Sequence, residues 1–149
     1  MTQVLHAEPH HTGTTDTEPN AHELQNDTIF SWQELSRLDE ALTMASRETG
    51  LRFTLYVGDL GPRSRTSAEE MHRRSGGDPA ESVLIAVSPG QRVVEVVTGS
   101  AAARRVPDRA CALAVLAMTN SFASSDLVGG VVNGLRQMSD QAGRLRHHS

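Results

Sequence analysis

Residues 52–98 decide the fold, and they read RFTLYVGDLGPRSRTSAEEMHRRSGGDPAESVLIAVSPGQRVVEVVT. The β-branched and aromatic residues of this stretch fall largely in three runs, 52–57, 82–88 and 92–98. Such runs predict strands. Between the first two runs, residues 66–69 (TSAE) predict a helix that begins with a capping box. A strand, a helix and a strand of this length form a parallel unit, whereas the turn at 89–91 (PGQ) joins two antiparallel strands. The stretch therefore predicts a small mixed sheet.

A helix is predicted before this stretch. Ser31 and Glu34 have the spacing of a capping box, and the apolar residues that follow recur at helical spacing as far as residue 45. Trp32 is the only tryptophan, and we expect it to anchor this helix by packing.

Two more helices are predicted after the stretch 52–98. A loop over 99–106 leads to an apolar helix over about 107–120, which we expect to be the most buried one. Ser125 then caps a last helix. The predicted fold is a single α/β domain, an αβα sandwich-like fold with a small mixed sheet and the element order α-β-α-β-β-α-α. Whether a fourth strand lies at an edge of the sheet stays open.

The chain of 149 residues has the length of one domain with its own core. We place this domain at residues 28–143. Residues 1–27 contain few large apolar side chains, so we expect a disordered tail there, and residues 144–149 should form a frayed basic tail. The first tail contains His6, His10, His11 and His22, whose spacing matches no standard metal-ligand pattern.

Composition and charge argue against several classes of protein. The net charge of −4 and the absence of lysine disfavour a nucleic-acid partner. No apolar run approaches the roughly 20 residues that span a bilayer, and no signal peptide is visible. We therefore predict a soluble, cytoplasmic protein without a membrane span. Cys111 is the only cysteine, which excludes an internal disulfide and favours a small buried hydrophobe.

Several short segments occur in an order that resembles a known family. They are LYVGD at 55–59, VLIAV at 83–87, QRVVEVVTG at 91–99, PD at 107–108, SF at 121–122 and DLVGGV at 126–131. In this order they resemble the TPM domain. The closer resemblance is to a small actinobacterial family of unknown function related to it, of the DUF5130 type, which also shares LDEAL at 38–42 and SRETG at 46–50.

The resemblance covers roughly residues 30–143 and implies a TPM-like α/β fold. The TPM family is associated with a proposed acid phosphatase activity, with divalent-metal binding in some members, and with the assembly or repair of membrane protein complexes. Many members carry a signal peptide and a membrane anchor, and this sequence shows neither. The closer family has no assigned activity.

The predicted topology brings residues that are distant in sequence to one rim of the sheet. The first strand ends at the same edge as the turn at 89–91, and a helix of about 14 residues returns the chain to this edge near residue 121. This rim should hold Asp59, Arg63, Arg65, Gln91, Arg92, Ser124, Ser125 and Asp126. Asp108 should lie at the opposite rim, with the end of the third strand that contains Glu95. Ligands of open α/β sheets bind at the carboxyl ends of strands and the amino ends of helices.

The rim residues suggest two kinds of ligand. An anion or another small ligand is expected to bind Arg63, Arg65, Gln91, Arg92, Ser124 and Ser125. Asp59 and Asp126 are suited to hold a hard cation, Ca²⁺ or Mg²⁺, and Asp108 is a further candidate ligand. Each residue also has an ordinary structural role: Asp108 and Asp126 suit a helix start, Asp59 suits a loop, and Arg92 suits a solvated strand edge.

The sequence favours a non-enzymatic binding or assembly module for a partner protein or a small anion, with a divalent cation as an accessory ligand. The alternative is a weak metal-dependent hydrolase of the acid-phosphatase type, acting on phosphomonoesters through a metal on Asp59 and Asp126. A third interpretation is self-association through an apolar helix face. No catalytic residue is identified: the sequence lacks a P-loop, a zinc-type His pair and a nucleophile elbow, and the predicted domain contains His72 as its one central histidine.

Overall fold

The computed structural model describes residues 3–6 and 30–144. Four strands form one sheet in the order β1-β2-β3-β4. Their bounds are β1 Gln3–His6, β2 Arg52–Val57, β3 Ser82–Ser88 and β4 Val93–Thr98. β2 and β3 pair in parallel, and β3 and β4 pair antiparallel, as the sequence predicts. The mixed sheet is therefore confirmed.

Five α-helices accompany the sheet in the described ranges. Their bounds are α1 Trp32–Thr49, α2 Ser64–Arg74, α3 Ser100–Arg105, α4 Asp108–Ser124 and α5 Leu127–Ala142, and a short 3-10 turn, Pro79–Glu81, precedes β3. The predicted order of elements is confirmed, with α3 as an addition inside the predicted loop at 99–106. Its sequence, SAAARR, has a high helix propensity.

The helices lie on both faces of the sheet. α1, α4 and α5 cover one face over a large core to which the sheet contributes Phe53, Leu55 and Ile85. α2 covers the other face over a smaller cluster that includes Tyr56 and Leu84. Every residue of β3 is buried, as expected for a strand that is covered on both sides. The αβα sandwich is therefore confirmed.

β1 pairs antiparallel with β2, from Gln3 opposite Val57 to His6 opposite Thr54. It fills the edge position that the sequence left open for a fourth strand. Gln3–His6 thus forms a strand inside the segment 1–27, for which the sequence predicts a disordered tail. A four-residue strand satisfies the backbone groups of an open sheet edge without a large supply of apolar side chains, so composition does not reveal it. The rest of both predicted tails, apart from Arg144, lies outside the described residues.

Helix starts follow the predicted capping chemistry at α1 but not at α2. Ser31 N donates to Glu34 Oε1 at 2.9 Å, and Glu34 N donates to Ser31 Oγ at 3.1 Å, which confirms the first capping box. α2 begins at Ser64, two residues earlier than the predicted start. Glu69 therefore lies inside the helix, where it accepts from Arg65 Nε at 3.0 Å instead of capping.

α4 and α5 are joined by a tight turn and pack closely. Ser125 ends α4 in a left-handed conformation, and Asp126 is the residue that caps α5, with Oδ1 accepting from Gly129 N at 3.0 Å. The prediction that Ser125 is this cap is therefore wrong. A Cβ atom on Gly130 would overlap the side chain of Ser121. The glycines of α5 thus permit a close approach of the two helices.

Two predictions about burial are wrong. Trp32 is 51% exposed, and the aromatic residue that anchors α1 is Phe30, which is 6% exposed. α4 carries Leu113 and Leu116 on its outer side, more than half exposed. Apolar residues lie all around α4, but only one side of the helix faces the sheet and α5. Within 3–6 and 30–144, no helix combines the length and the apolar character that a membrane span needs.

Candidate functional site

The loop after β2 and the turn between β3 and β4 lie together at one edge of the sheet. Gly58 N donates to Val87 O at 3.0 Å. Gln91 joins the two segments: its Oε1 accepts from Leu60 N at 2.8 Å, and its Nε2 donates to Gly61 O at 2.8 Å. Both polar atoms of the Gln91 side chain are used in these bonds, so Gln91 fixes the geometry of the rim.

Asp59 lies in the same loop and is exposed. Its Oδ2 accepts from Gly61 N at 3.2 Å, and its backbone oxygen accepts from the Tyr56 hydroxyl at 2.7 Å. These contacts shape the loop and match the structural role that the sequence allowed for Asp59.

A cavity of about 290 Å³ opens at this edge, between the β3–β4 turn, the start of α1 and the α4–α5 junction. Its lining consists of Phe30, Glu34, Pro89, Arg92, Ser121, Phe122, Ser125, Leu127 and Val128, which we name the rim pocket. Apolar walls with a few polar groups are typical of small-ligand sites. The volume lies near the lower limit of such sites, roughly 300–1,000 Å³.

Two residues of the rim pocket have an unusual backbone. Arg92 has a φ of 56° and Ser125 a φ of 62°, and they are the two non-glycine residues with positive φ in the described part of the chain. Side chains with a Cβ atom adopt this region at a cost of about 1–3 kcal/mol. Both strained positions therefore line one cavity, although they are 33 positions apart in the sequence.

The rim pocket contains one cationic and one anionic side chain. The Arg92 guanidinium has no hydrogen bond or ion pair within the described residues; only its backbone N donates, to Pro89 O at 3.2 Å. Glu34 uses Oε1 in the capping box of α1. The two charged groups do not pair with each other. A positive and a negative group from different elements thus border a mainly apolar cavity.

Arg65 lies away from the rim pocket, along the outer edge of β4. Its Nη1 donates to Val96 O at 2.8 Å and lies 3.5 Å from Glu95 Oε1. Ser64 Oγ also donates to Glu95, at 2.6 Å. These contacts hold the start of α2 on β4, so Arg65 has a structural partner rather than a free guanidinium.

The remaining predicted ligand residues are also placed outside the cavity. Arg63 directly precedes α2 and is exposed. Ser124 Oγ donates back to Ser121 O at 3.2 Å, within α4. Of the six residues predicted to bind an anion, the rim pocket brings together Arg92 and Ser125.

Asp108 and Asp126 lie at opposite ends of α4. This helix has 17 residues. At 1.5 Å per residue its ends are about 25 Å apart, so one ion cannot bind both carboxylates. This placement agrees with the predicted topology. No three His, Cys, Asp or Glu side chains gather into a metal site anywhere in 3–6 or 30–144.

His72 and Cys111 both have structural surroundings. His72 is buried, and its Nε2 lies 3.0 Å from Ser82 O, which makes Nε2–H the donor. Burial raises the pKa of the Cys111 thiol; the Asp108 carboxylate raises this pKa further, and Arg65 partly opposes the rise. The thiol is therefore protonated at neutral pH, whereas reactive cysteines are thiolates.

A second depression, of about 410 Å³, lies between α1 and α5. Its apolar residues are Ala41, Met44, Ala45, Val132 and Leu135, and charged residues of both signs border it. No predicted ligand residue and no residue with a strained backbone line it. The rim pocket is therefore the better candidate for a ligand site.

Sequence reasoning missed the apolar walls of the rim pocket. Phe122 lies just past the predicted end of this helix near residue 120, but α4 continues to Ser124. A usable signal was present at Phe30, which directly precedes the capping box. A hydrophobic residue there commonly packs against the fourth residue of the helix, and here both Phe30 and Leu35 are buried in the same core.

Two solved structures share this fold. One is the N-terminal domain of a protein from P. gingivalis, with 17% identity and a TM-score of 0.67, covering 80% of this chain and 83% of that chain. The other is the N-terminal domain of the cg2496 protein from Corynebacterium glutamicum, with 14% identity and a TM-score of 0.64, covering 83% and 84%. At these identities the similarity concerns the fold alone.

Sequence comparison gives the family. Two uncharacterized proteins, from two strains of Mycobacterium tuberculosis, are each 38% identical to this chain over 123 residues, which covers 83% of this chain and 72% of the relative. The profile of a domain of unknown function, DUF5130, matches residues 11–139. Since this match spans most of the chain, the protein belongs to the DUF5130 family.

Proposed function

We propose that this protein is a non-enzymatic binding module that holds a small anionic group in the rim pocket, either free or carried by a partner protein. The observation that carries the proposal is the presence of two left-handed residues, Arg92 and Ser125, in the lining of one cavity. Strained backbone persists only where the surrounding structure holds it, and it concentrates at ligand sites.

The cationic side chain of the cavity, Arg92, is suited to an anionic group. The Arg92 guanidinium offers N–H donors in a planar fork that matches a carboxylate or a phosphate, and no described residue uses them. The apolar walls can cover the carbon body of a ligand. Because Arg92 is exposed, its ion pair is screened by water. We therefore expect a dissociation constant on the order of 1 mM, about 4 kcal/mol of binding free energy.

The surroundings of His72 and Cys111 support a binding role over catalysis. The Nε2–H of His72 is bound to Ser82 O, and the raised pKa of the Cys111 thiol keeps it from acting as a nucleophile at neutral pH. Neither residue lines the rim pocket. Arg92, Ser125 and the apolar walls of the pocket are suited to hold a ligand.

The experiment is a titration of the full chain with 3-phenylpropionate and with phenyl phosphate, followed by ¹⁵N NMR. Arg92→Asn removes the cation, and asparagine tolerates the left-handed backbone better than most residues. We expect this variant to bind both probes about tenfold more weakly, a loss of about 1.4 kcal/mol. Arg104→Asn is the matched control, because Arg104 is exposed on α3 and lies outside the cavity.

Binding that is equal in the Arg92 variant, the control and the wild type would contradict the proposal. The same phenyl phosphate samples test the alternative. Release of phosphate that requires Mg²⁺, Ca²⁺ or Mn²⁺, and that is lost in Asp126→Asn, would establish a metal-dependent phosphatase instead. Asparagine preserves the helix cap at this position, so this variant separates metal binding from stability.

An accessory cation on Asp59 or Asp126 is a separate part of the proposal. Each carboxylate uses one oxygen on a backbone N–H, of Gly61 and Gly129 respectively, and both residues are exposed. A rise in melting temperature with Ca²⁺ or Mg²⁺ in the wild type, absent in Asp126→Asn, would support it. The TPM resemblance adds a protein partner. A second copy of the chain and a cytoplasmic location are further proposals, which sedimentation velocity and cell fractionation can check.

A further inference from the structure

We infer that the ligand of the rim pocket is a free α-amino acid with an apolar side chain, held as a zwitterion. The inference rests on the proposed function and adds the class of ligand to it. Its basis is the pair of unlike charges that border one small apolar cavity.

The two charges come from different elements and remain apart. Arg92 belongs to the β3–β4 turn, and Glu34 belongs to the first turn of α1. Both line the rim pocket, yet they form no ion pair with each other. An α-amino acid carries a carboxylate and an ammonium group on one carbon atom, so one such ligand offers a partner to each of the two unlike charges that line the cavity. Its carboxylate would accept from Arg92, and its ammonium would donate to Glu34.

Glu34 keeps an oxygen for this contact. Its Oε1 accepts from Ser31 N in the capping box, and no hydrogen bond within the described residues uses Oε2. The capping box also fixes the rotamer of Glu34, because the carboxylate is held to the backbone at the helix start. The anionic group of the cavity is therefore positioned before any ligand binds.

Ser125 supplies a further polar contact. Its hydroxyl makes no hydrogen bond within the described residues, unlike the hydroxyl of Ser121, which donates to Met118 O. Ser125 has a left-handed backbone and lines the cavity. A hydroxyl both donates and accepts, so it can bind either charged group of the ligand.

The walls determine the side chain of the amino acid. Phe30, Phe122, Leu127 and Val128 contribute apolar surface, with Pro89 at the turn. A polar side chain would lose hydration there without gaining a partner, whereas an apolar one would gain from burial. The volume of about 290 Å³ suits one amino acid rather than a peptide.

Glu34 and Arg92 together should disfavour ligands that carry a single charge. A plain carboxylate or phosphate next to Glu34 would meet a like charge, and an amine or a metal cation would meet Arg92. Like charges across a binding site act as negative selection against the wrong ligand. Only a ligand with both charges satisfies both groups.

The test is isothermal titration of the full chain with four probes at pH 7. L-phenylalanine carries both charges and an apolar body. 3-Phenylpropionate lacks the ammonium, 2-phenylethylamine lacks the carboxylate, and glycine lacks the body. We expect L-phenylalanine to bind about tenfold more tightly than each of the other three, since each lacks one group that the cavity contacts.

Glu34→Gln is the decisive variant, because glutamine also completes a capping box and only the charge is lost. We expect it to weaken L-phenylalanine about fivefold while leaving 3-phenylpropionate unchanged or improved. The melting temperature should remain near that of the wild type. Glu48→Gln is the control, as Glu48 lies on the same helix in the other depression.

Each outcome separates the two proposals. If 3-phenylpropionate binds as well as L-phenylalanine and Glu34→Gln changes neither, the zwitterion inference fails and the anion-binding function stands. If none of the four probes binds, the zwitterion inference fails, and the anion-binding function fails with it when phenyl phosphate does not bind either. If L-phenylalanine binds equally to the wild type, to Glu34→Gln and to Arg92→Asn, it binds outside the rim pocket and the inference is overturned.

Discussion

At the residue scale, Arg92 and Ser125 are the positions where backbone conformation and candidate chemistry coincide. The sequence placed both at the correct rim, because strand order and helix length fix which loops share an edge. It gave no sign of their positive φ, since arginine and serine lack the preference for positive φ that glycine and asparagine have. The hydrogen bonds that Gln91 N and Arg92 N donate to Ser88 O and Pro89 O arise from the closed turn.

We expect Arg92→Gly to stabilise the protein while weakening anion binding about tenfold. Glycine adopts a φ of 56° without the Cβ clash that costs other residues about 1–2 kcal/mol. Part of this gain is lost because glycine raises the entropy of the unfolded chain. The free energy of unfolding, measured with urea, should therefore rise by about 0.5–1 kcal/mol.

Arg92→Ala is the control for that substitution. It removes the guanidinium but keeps a Cβ atom, so it should lose anion binding without the gain in stability. If the glycine and alanine variants have the same free energy of unfolding, Arg92 is not strained, and the argument from backbone conformation to a ligand site loses its basis.

At the element scale, Arg105 joins the carboxyl ends of α1 and α5. Its Nη1 donates to Thr49 O at 2.7 Å, and its Nη2 donates to Ala142 O at 3.0 Å and to Gly143 O at 3.1 Å. Thr49 O and Ala142 O belong to the last turns of their helices, so they have no partner within the helix, and Gly143 directly follows α5. Arg105 lies in α3, inside the segment 99–106 for which the sequence predicts a loop. The composition of α3 favours a helix. The contacts of Arg105 could not be predicted, because its partners lie 37 to 56 positions away in the sequence.

We expect Arg105→Met to lower the free energy of unfolding by about 2 kcal/mol, because three carbonyl groups lose a charged donor. Arg105→Lys should recover only part of this loss, since one ammonium group lacks the planar fork that spans two helix ends. Arg104→Met is the matched control. It should change stability by about 0.5 kcal/mol or less, as expected for an exposed position. Equal urea midpoints for the two methionine variants would show that Arg105 does not hold the helices together.

At the scale of the whole molecule, the sequence predicted what depends on local pattern and on topology. The order of the elements, the mixed sheet and the three layers follow from β-branched runs, capping residues and helical periodicity. It failed where the outcome depends on which side of an element meets a neighbour. Trp32 and Leu116 are both apolar and both exposed, because α1 and α4 turn other residues towards the core. The apolar walls of the rim pocket were missed for the same reason.

The composition of the sequence also does not reveal β1. Proline substitution tests whether β1 pairs with β2. Val4 lies opposite Tyr56, and Leu5 lies opposite Leu55. In an antiparallel pair, adjacent residues alternate between those that bond across the ladder and those that do not. One of Val4→Pro and Leu5→Pro should therefore break a bond to β2, and the other should not.

We expect hydrogen exchange along β2 to accelerate by about tenfold in one proline variant and to stay near the wild-type rate in the other, because only one loses a ladder bond. Val4→Ala and Leu5→Ala separate the effect of the side chain from that of the amide. If both proline variants retain wild-type exchange along β2, Gln3–His6 does not protect this edge. The sheet would then end at β2, with an open edge available to another chain.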